Sequence, residues 1–472
     1  MSESVLKRKL LSKNENYITL LNIIGTLIYQ GINFILTPYL TRALNIEGYG
    51  IVSVYTSWVN VLVPIVSLTS MTVIPHIKMY INKEEQHKYI SSLLGLSLIA
   101  FLLIFGLSLI FLPLLASAMQ FTWLVVILLL LQSFGISTVN FAVAYCVQYQ
   151  KTIFQFLITI SLSILTSVIS IFLIQTISAD SEKYMGRIIG YSLPNIAVAG
   201  VIYFYFIRKS KSLFDKKVWA FALPICVPII FHLLSNVLLS QSSRIILQKA
   251  VGFEPAGIYS FIFTIASLIS VLWVAINNAW VPIYYKMLGE GKDEVIKQRG
   301  KRYLFFYTSI FCGFMLVSPE ILRIMGGKEY NRGIPLMPLI SFSMYLIFMY
   351  SFSINYKTIC KKTISIAIGT VISAVVNIIA NLLLIPKFEL WGAAIATLLS
   401  YVVLFMFHQF TVKEKDYKYH FDIMFYAPGV IAALLSIAAF YALFNLWIVR
   451  WFLAFLVGVF LLLKIIKQRA IF

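Results

Sequence analysis

The chain has few charged residues: only 12% of its 472 residues are Asp, Glu, Lys or Arg, whereas 60% are hydrophobic. Soluble domains carry about 25% charged residues, so this composition excludes a water-soluble globular protein. Closed β-barrels would show alternating segments of about 10 residues, but the run from Leu93 to Leu115 is continuously apolar. Because a spanning helix needs about 20 apolar residues, the sequence predicts an all-α integral membrane protein.

Motifs for cofactor chemistry are also missing. The four cysteines are isolated from one another, which is typical of small buried hydrophobic residues rather than of disulfides or metal ligands. No phosphate-binding GxxxxGK motif occurs, so we expect no ATPase activity in this chain. The sequence therefore predicts no cofactor and no metal site.

Acidic residues are scarce, and we expect all 18 to lie in loops or at the ends of apolar runs. Proton-driven pumps usually place a carboxylate within the membrane, and hydrolytic or glycosyl-transferring enzymes need positioned carboxylates or metal ligands. On the predicted outer side, Asp180 and Glu182 are interpreted as part of a solvated turn. The sequence therefore predicts a protein that is not an enzyme.

Fourteen apolar runs follow one another along the chain, and none of the connections is long enough for a soluble domain. The runs fall near 17–41, 50–77, 89–113, 121–147, 153–177, 187–207, 223–248, 257–285, 303–325, 334–356, 364–385, 391–410, 423–444 and 447–463.

The basic residues are distributed unevenly between the two sides. With the N-terminus inside, 28 of the 38 lie on the inner side and Arg244 lies within a run. Such a bias predicts that both termini are cytoplasmic. It also accounts for the net charge of +20, which we attribute to membrane topology and attraction to anionic lipid rather than to nucleic-acid binding. The nine on the outer side are Arg42, Lys183, Arg187, Lys249, Arg323, Lys328, Arg332, Lys387 and Arg450.

One short stretch occurs twice. The segment TRALNIEGYGIVS begins at Thr41, and QKAVGFEPAGIYS begins 207 positions later at Gln248. Both lie in predicted outer turns with the same orientation, which indicates a parallel duplication with substrate held between the halves. We predict six-helix bundles at 1–207 and 223–410, a cytoplasmic linker at 208–222, and two additional helices at 411–472.

Polar side chains form a stripe on the first helix of each predicted bundle. Spacings of three and four residues place each set on one helical face, which must contact other helices or a water-filled cavity. Interhelical hydrogen bonding is the alternative interpretation. The stripes comprise Thr19, Asn22, Thr26, Gln30, Asn33 and Thr37 in the first run, and His232, Asn236, Ser240, Ser243 and Arg244 in the seventh; Asn277, Asn278, Asn377 and Asn381 add amides in later runs.

Arg244 is the basic residue predicted to lie inside a run, about 9 Å from its outer end at 1.5 Å per residue. Its fork of donors matches a phosphate group, so we expect it to anchor a diphosphate, with Arg42 and Lys249 extending the positive field outward. The alternative is that Arg244 reaches outward to Glu47 or Glu254.

Three segments resemble the polysaccharide flippases, the Wzx-type branch of the multidrug/oligosaccharidyl-lipid/polysaccharide exporter superfamily. They are the opening ITLLNIIGTLIYQGINFILTPYLTRALNIEGYGIVSVY, with Asn45 where a glycine is usual, then GKEYNRGIPLMPLI, and NLLLIPKFELWGAAIATLLS. The resemblance implies two six-helix bundles plus two helices, alternating access, and transfer of undecaprenyl-diphosphate-linked oligosaccharide from the inner to the outer leaflet.

The expected function is therefore a lipid-linked oligosaccharide flippase of a bacterial cytoplasmic membrane, serving capsule, O-antigen or related polysaccharide assembly. Its expected partners are the lipid-linked substrate, membrane lipids and other polysaccharide-assembly proteins, with no nucleic acid. Two alternatives stay open: a multidrug or organic-cation exporter of the same fold, and a polysaccharide polymerase, for which a large outer loop would be expected.

Overall fold

A computed structural model describes residues 31–32, 34–209 and 212–468. Regular secondary structure in these ranges is entirely helical, and twelve of the helices are long and apolar enough to cross a membrane. The predicted all-α membrane class is confirmed. The first predicted run lies mostly outside the described residues, so the count of fourteen spans and the repeat layout stay predictions.

The chain divides into two compact units, Met1–Val237 and Leu238–Phe472. The division falls within a long helix, 15 residues beyond the end of the linker predicted at 208–222. The bundle boundaries given above stay predictions.

In the first unit, residues 34–43 are helical and seven labelled helices follow. Two short 3₁₀ segments, Ser70–Val73 and Asp180–Glu182, lie between them. The helices are α1 (Ile46–Val66), α2 (Ile74–Tyr80), α3 (Lys83–Ile110), α4 (Leu112–Met119), α5 (Trp123–Gln148), α6 (Thr152–Thr176) and α7 (Lys183–Lys209).

The second apolar run, predicted at 50–77, is interrupted. Helix α1 ends at Val66, and Leu68 and Thr69 adopt φ values of 49° and 51° before the chain turns into α2. Positive φ is incompatible with a right-handed helix, so these two residues end the span that composition alone would extend. At the other end, Asn45 caps α1 by accepting a hydrogen bond from the Gly48 amide.

Helix α8 (Lys216–Ala250) runs through both units, and seven further helices follow. They are α9 (Phe253–Gly289), α10 (Asp293–Met325), α11 (Met337–Ile359), α12 (Thr363–Thr411), α13 (Lys415–His420), α14 (Ile423–Ala442) and α15 (Trp447–Gln468); a 3₁₀ segment, Lys328–Leu336, precedes α11. Within α12, Glu389 has a non-helical backbone with φ 48° and ψ −119°. This break separates the stretches predicted as two runs, 364–385 and 391–410.

The duplicated turn has the same helix boundaries in both copies. Helical residues end at 43 in the first copy and at Ala250 in the second, and the next helix begins at Ile46 and at Phe253. Both pairs are 207 positions apart, the offset read from the sequence. The position of Asn45 is occupied in the second copy by Gly252, whose φ of 127° favours glycine.

Each unit has its own core. In the first unit, Tyr55 of α1 donates to Gln132 Oε1 of α5 at 2.6 Å and lies 3.0 Å from the Ser192 hydroxyl of α7, so one phenol joins three helices. In the second unit the core is aromatic, and ring pairs such as Tyr307 and Phe348, with centroids 4.2 Å apart, join α10 to α11. Such ring pairs add about 0.5–1.5 kcal/mol beyond the area they bury.

Candidate functional site

Arg244 is buried in the second unit, in the last two turns of α8. Its guanidinium lies 4.4 Å from the centroid of the Phe263 ring and donates to Gln241 Oε1 one helical turn earlier. Both contacts are with neutral groups, so neither changes the charge of the guanidinium. An Arg at the centre of a spanning helix costs about 2.5–3.5 kcal/mol on insertion scales and less nearer the end, so a buried arginine of this kind is a candidate for function.

Next to Arg244, neighbouring residues of α8 hydrogen-bond to α12. Ser243 Oγ lies 3.2 Å from Thr397 Oγ1 and accepts from Asn381 Nδ2 at 3.0 Å. Ser242 donates to Asn377 Oδ1 at 2.6 Å. These five polar side chains are buried and form a continuous network between the two helices.

The network decides between the two interpretations for Asn377 and Asn381. Both are fully buried, and Asn381 Nδ2 also donates to Asn377 Oδ1 at 2.9 Å. Asn377 Nδ2 donates to Ser400 Oγ at 3.0 Å. The amides in this helix therefore hold helices together, as polar residues commonly do in membranes, rather than lining an open space.

The two basic residues expected near the outer turns, Arg42 and Lys249, are both exposed and lie at the ends of their helices. Glu254, considered from the sequence as an outward partner for Arg244, forms an ion pair with Arg332. The turn therefore carries both charge signs at its surface.

The remaining stripe residues are distributed as follows. In the first unit, Asn236 is exposed, and its amide lies 3.3 Å from His232 Nε2. Ser240 belongs to the second unit and is half-buried. Gln30 and Asn33 lie outside the described residues, as do Thr19, Asn22 and Thr26. A water-facing polar stripe on the first run therefore stays a prediction.

The two adjacent amides of the eighth predicted run, Asn277 and Asn278, have different surroundings. Asn277 accepts a hydrogen bond from Asn355 Nδ2 of α11 at 3.0 Å, whereas Asn278 is exposed. Asn277 thus joins two helices of the second unit, and Asn278 is free to meet solvent, lipid or ligand.

The assignment of every acidic residue to loops or run ends is wrong for Glu320. This residue lies five positions before the C-terminal end of α10, and its carboxylate forms a bidentate ion pair with Arg450 of α15. Arg450, expected on the outer surface, has a side chain with no exposed area. The sequence does not reveal this pair, because a charged residue near the end of a span looks the same in sequence whether it contacts water or an oppositely charged side chain.

Two further basic residues are buried where the charge count placed them at the surface. Lys357 Nζ, in α11, donates to Ser365 Oγ at 3.0 Å and Thr411 Oγ1 at 2.7 Å, and lies 3.0 Å from His408 Nδ1. Arg187, in α7, donates to Ser170 Oγ at 2.9 Å. No spacing in the sequence separates these residues from ordinary loop charges.

An apolar cavity of about 560 Å³ lies between α10, α14 and α15 in the second unit. One lysine, Lys301, is part of its wall, and the remaining lining is mostly aliphatic and aromatic. The cavity can hold a hydrocarbon chain beside one positive charge. Its lining comprises Lys301, Leu304, Phe305, Thr308, Ser309, Cys312, Met424, Phe425, Pro428, Gly429, Ala432, Val457 and Phe460.

The fold is shared with solved membrane transporters. A structure of the lipid II flippase MurJ in an inward closed conformation matches 96% of this chain and 99% of its own, with a TM-score of 0.67 and 18% identity. An inward-facing multidrug resistance MATE family transporter of the MOP superfamily matches 83% of this chain and 97% of its own, with a TM-score of 0.57 and 14% identity. The chain therefore has the fold of this class of transporters.

The sequence comparison is more specific. The chain belongs to the polysaccharide biosynthesis protein family, whose pattern matches residues 18–288, more than half of its length. It is 26% identical over 368 residues to Lsg locus putative protein 1 of Haemophilus influenzae, covering 75% of this chain and 88% of that protein. An uncharacterized membrane protein of the same organism is 24% identical over 367 residues, 75% of this chain and 86% of its own. The resemblance read from the sequence is confirmed at the level of family and fold.

Proposed function

We propose that this protein moves a polyprenyl-diphosphate-linked oligosaccharide from the inner to the outer leaflet of a bacterial cytoplasmic membrane, for surface polysaccharide assembly such as capsule or O-antigen. Buried Arg244 is the observation that carries the proposal. Its planar fork of donors fits a phosphate, and charge-assisted hydrogen bonds of this kind are about twice as strong as neutral ones. Membership of the polysaccharide biosynthesis family and the flippase-type fold support the same function.

The apolar cavity of the second unit supports a lipid-linked substrate. An amphipathic substrate needs apolar surface for its chain as well as charge for its head, and the cavity between α10, α14 and α15 offers about 560 Å³ of largely apolar space. Lys301 in its wall would attract an anionic head toward one part of the cavity. An organic cation would be repelled by Lys301 and by Arg244.

The carboxylate that could favour a cation exporter is already engaged. Glu320 lies inside the spanning helix α10, and Arg450 neutralises it at 2.6 and 3.0 Å. An exporter of organic cations would need an available carboxylate or an aromatic cage. The charge arrangement therefore favours an anionic substrate over the cationic alternative.

The test is complementation of a strain that lacks its own copy of this protein. Arg244→Ala and Arg244→Glu should reduce surface polysaccharide to background and cause the lipid-linked precursor to accumulate, while Arg244→Lys retains part of the activity as a point charge without the fork. Loss of one charged hydrogen-bonding group costs about 1.5–3 kcal/mol, or roughly 10- to 150-fold in substrate affinity.

The matched control is Arg332→Ala, which removes an exposed arginine of the same unit that is paired with Glu254. It should complement normally, with both variants present in the membrane at equal amounts by immunoblot. Normal polysaccharide from well-expressed Arg244→Ala would contradict the anchor role. Unchanged polysaccharide in the deletion strain, together with lost resistance to organic cations, would contradict the flippase assignment.

A further inference from the structure

The first unit contains a basic pocket at the ends of α2, α3, α5 and α7. It has a volume of about 620 Å³ and lies entirely within that unit. Four lysines and one histidine contribute to its wall, and no acidic residue does. The lining comprises Lys78, Ile81, Asn82, Lys83, Gln86, His87, Tyr145, Tyr149, Lys151 and Lys209.

The contacts of these basic groups leave the pocket positively charged. Lys151 Nζ lies 3.1 Å from the Tyr145 hydroxyl, and Lys78 Nζ donates to the backbone carbonyl of Gln148. Both partners are neutral. The Nδ1 atom of His87, another lining residue, is buried and has no hydrogen-bond partner among the described residues.

Nearby acidic residues do not cancel this charge. Glu84 and Glu85 lie in the first turn of α3 but are exposed and outside the lining. Asp215 pairs with Lys88 at 2.7 Å, also outside the pocket. Among the described residues, none of the four lining lysines forms an ion pair with a carboxylate.

A second, apolar cavity of about 300 Å³ adjoins the basic pocket between α5, α6 and α7. Tyr145 and Lys151 belong to both linings, so the two spaces meet at these residues. Tyr205 belongs to the apolar lining, and its hydroxyl lies 3.5 Å from Lys209 Nζ in the basic one. The apolar lining comprises Ala142, Tyr145, Cys146, Lys151, Phe154, Ile158, Val198, Val201, Ile202, Tyr205 and Phe206.

The two cavities lie at different depths along the helices. The basic pocket collects residues at helix ends, whereas Ala142 and Ile158 lie six residues inside α5 and α6, about 9 Å at 1.5 Å per residue. Tyrosines lie between the two regions, the arrangement favoured at a membrane interface. Burial raises the pKa of Tyr149 to about 12, so its hydroxyl stays neutral as it donates to Gln86 Oε1 at 2.8 Å.

We propose that these adjoining cavities bind one anionic phospholipid of the surrounding bilayer, with its phosphate in the basic pocket and an acyl chain against α5, α6 and α7. Basic pockets between spanning helices on a cytoplasmic face are suited to anionic headgroups, and the charge distribution predicts that face here. The site is separate from Arg244 and from the apolar cavity of the second unit. It is therefore independent of the transported substrate and of the proposed function.

Native mass spectrometry of the purified full-length chain tests the site. With phosphatidylglycerol as the probe, wild-type protein should retain one tightly bound lipid, and phosphatidylethanolamine with the same chains should be retained much less. The double variant Lys151→Gln, Lys209→Gln should weaken phosphatidylglycerol binding about 10-fold or more, because each lysine close to an anionic headgroup contributes to the binding affinity. Val201→Trp, which fills the apolar cavity, should weaken it as well.

The matched control is Lys216→Gln with Lys217→Gln, which removes the same charge from exposed positions at the start of α8. It should bind phosphatidylglycerol like the wild type. Equal retention of the two phospholipids, or unchanged binding by the Lys151/Lys209 variant, would overturn the proposal. So would inorganic phosphate that displaces the lipid at equal concentration, because that result would define a site for free anions.

Discussion

Arg450 and Glu320 form a bidentate ion pair that joins α15 to α10. Nη1 donates to Oε2 at 3.0 Å and Nη2 donates to Oε1 at 2.6 Å. The guanidinium also donates to the backbone carbonyls of Leu316, Leu443 and Phe444. With these contacts all three of its nitrogens are used, and the side chain has no exposed area. The pair therefore stabilises the packing of α15 against α10 within the second unit.

Glu320→Ala should destabilise the protein strongly, because it leaves a buried guanidinium without its carboxylate. Removing one member of a buried pair typically costs about 3–5 kcal/mol. The measurement is thermal unfolding in detergent, followed by size-exclusion fluorescence. Arg323→Ala is the control, since Arg323 is exposed and lies 3.5 Å from the same carboxylate; it should cost less than about 1 kcal/mol. Equal effects of the two variants would contradict the anchoring role.

Gly190→Ala should destabilise the contact of α7 with α6. A Cβ added at Gly190 would lie 2.5 Å from Ser170 Cα, and backbone cannot move aside cheaply. Overpacking of this kind costs about 1–3 kcal/mol. Gly200→Ala, in the same helix, meets no atom within 4 Å and should be neutral or slightly stabilising. The check is the apparent melting temperature of both variants; no difference between them would show that the helices separate readily.

Asn236→Cys should react with a small water-soluble thiol reagent in membranes if the polar stripe on α8 faces water. The native cysteines are first replaced, because Cys360 is exposed. Leu239→Cys, three positions along the same helix at a buried site, should stay unlabelled. Protection of both positions would mean that the stripe faces lipid or packs against protein.

Reporter fusions should place Phe472 and the segment from Ser178 to Gly186 on opposite sides of the membrane. The charge bias predicts a cytoplasmic C-terminus and an external segment. A reporter active only in the cytoplasm should work after Phe472 and fail within the segment, and a periplasm-dependent reporter should behave in the opposite way. A periplasmic C-terminus would require a different number of spans.

Sequence reasoning about this chain succeeds where one physical cause acts along the chain itself. The duplicated turn is an example: a capping asparagine in one copy and a glycine in the other act over a few residues, and Ile46 and Phe253 begin helices at the spacing read from the sequence. The exposed 3₁₀ turn at Asp180 and Glu182 is another, since its charge pattern indicated a solvated turn.

The site is predicted less completely because its residues interact across helices. The burial of Arg244 inside α8 could be predicted, since a charge within an apolar run is apparent from the sequence, whereas its role in binding stays a prediction. The Asn377 and Asn381 spacing predicted a shared face, but only the partners Ser242 and Ser243 show that this face holds helices together. The basic pocket could not be predicted from the sequence, because its four lysines come from three separate connections between helices.

Apolar length and loop charge act locally and add along the chain, so the amino-acid order alone predicts a membrane protein, helical spans and the orientation of its termini. Which charged side chains are buried or paired follows only from contacts between helices. Lys357, Arg187 and Arg450 are buried and Glu320 is paired with Arg450, yet all four have the same sequence signature as surface residues, and only their neighbours in space distinguish them. The physical reason is that a buried charge is stabilised by partners that chain order does not place beside it, here 130 positions apart for Arg450 and Glu320.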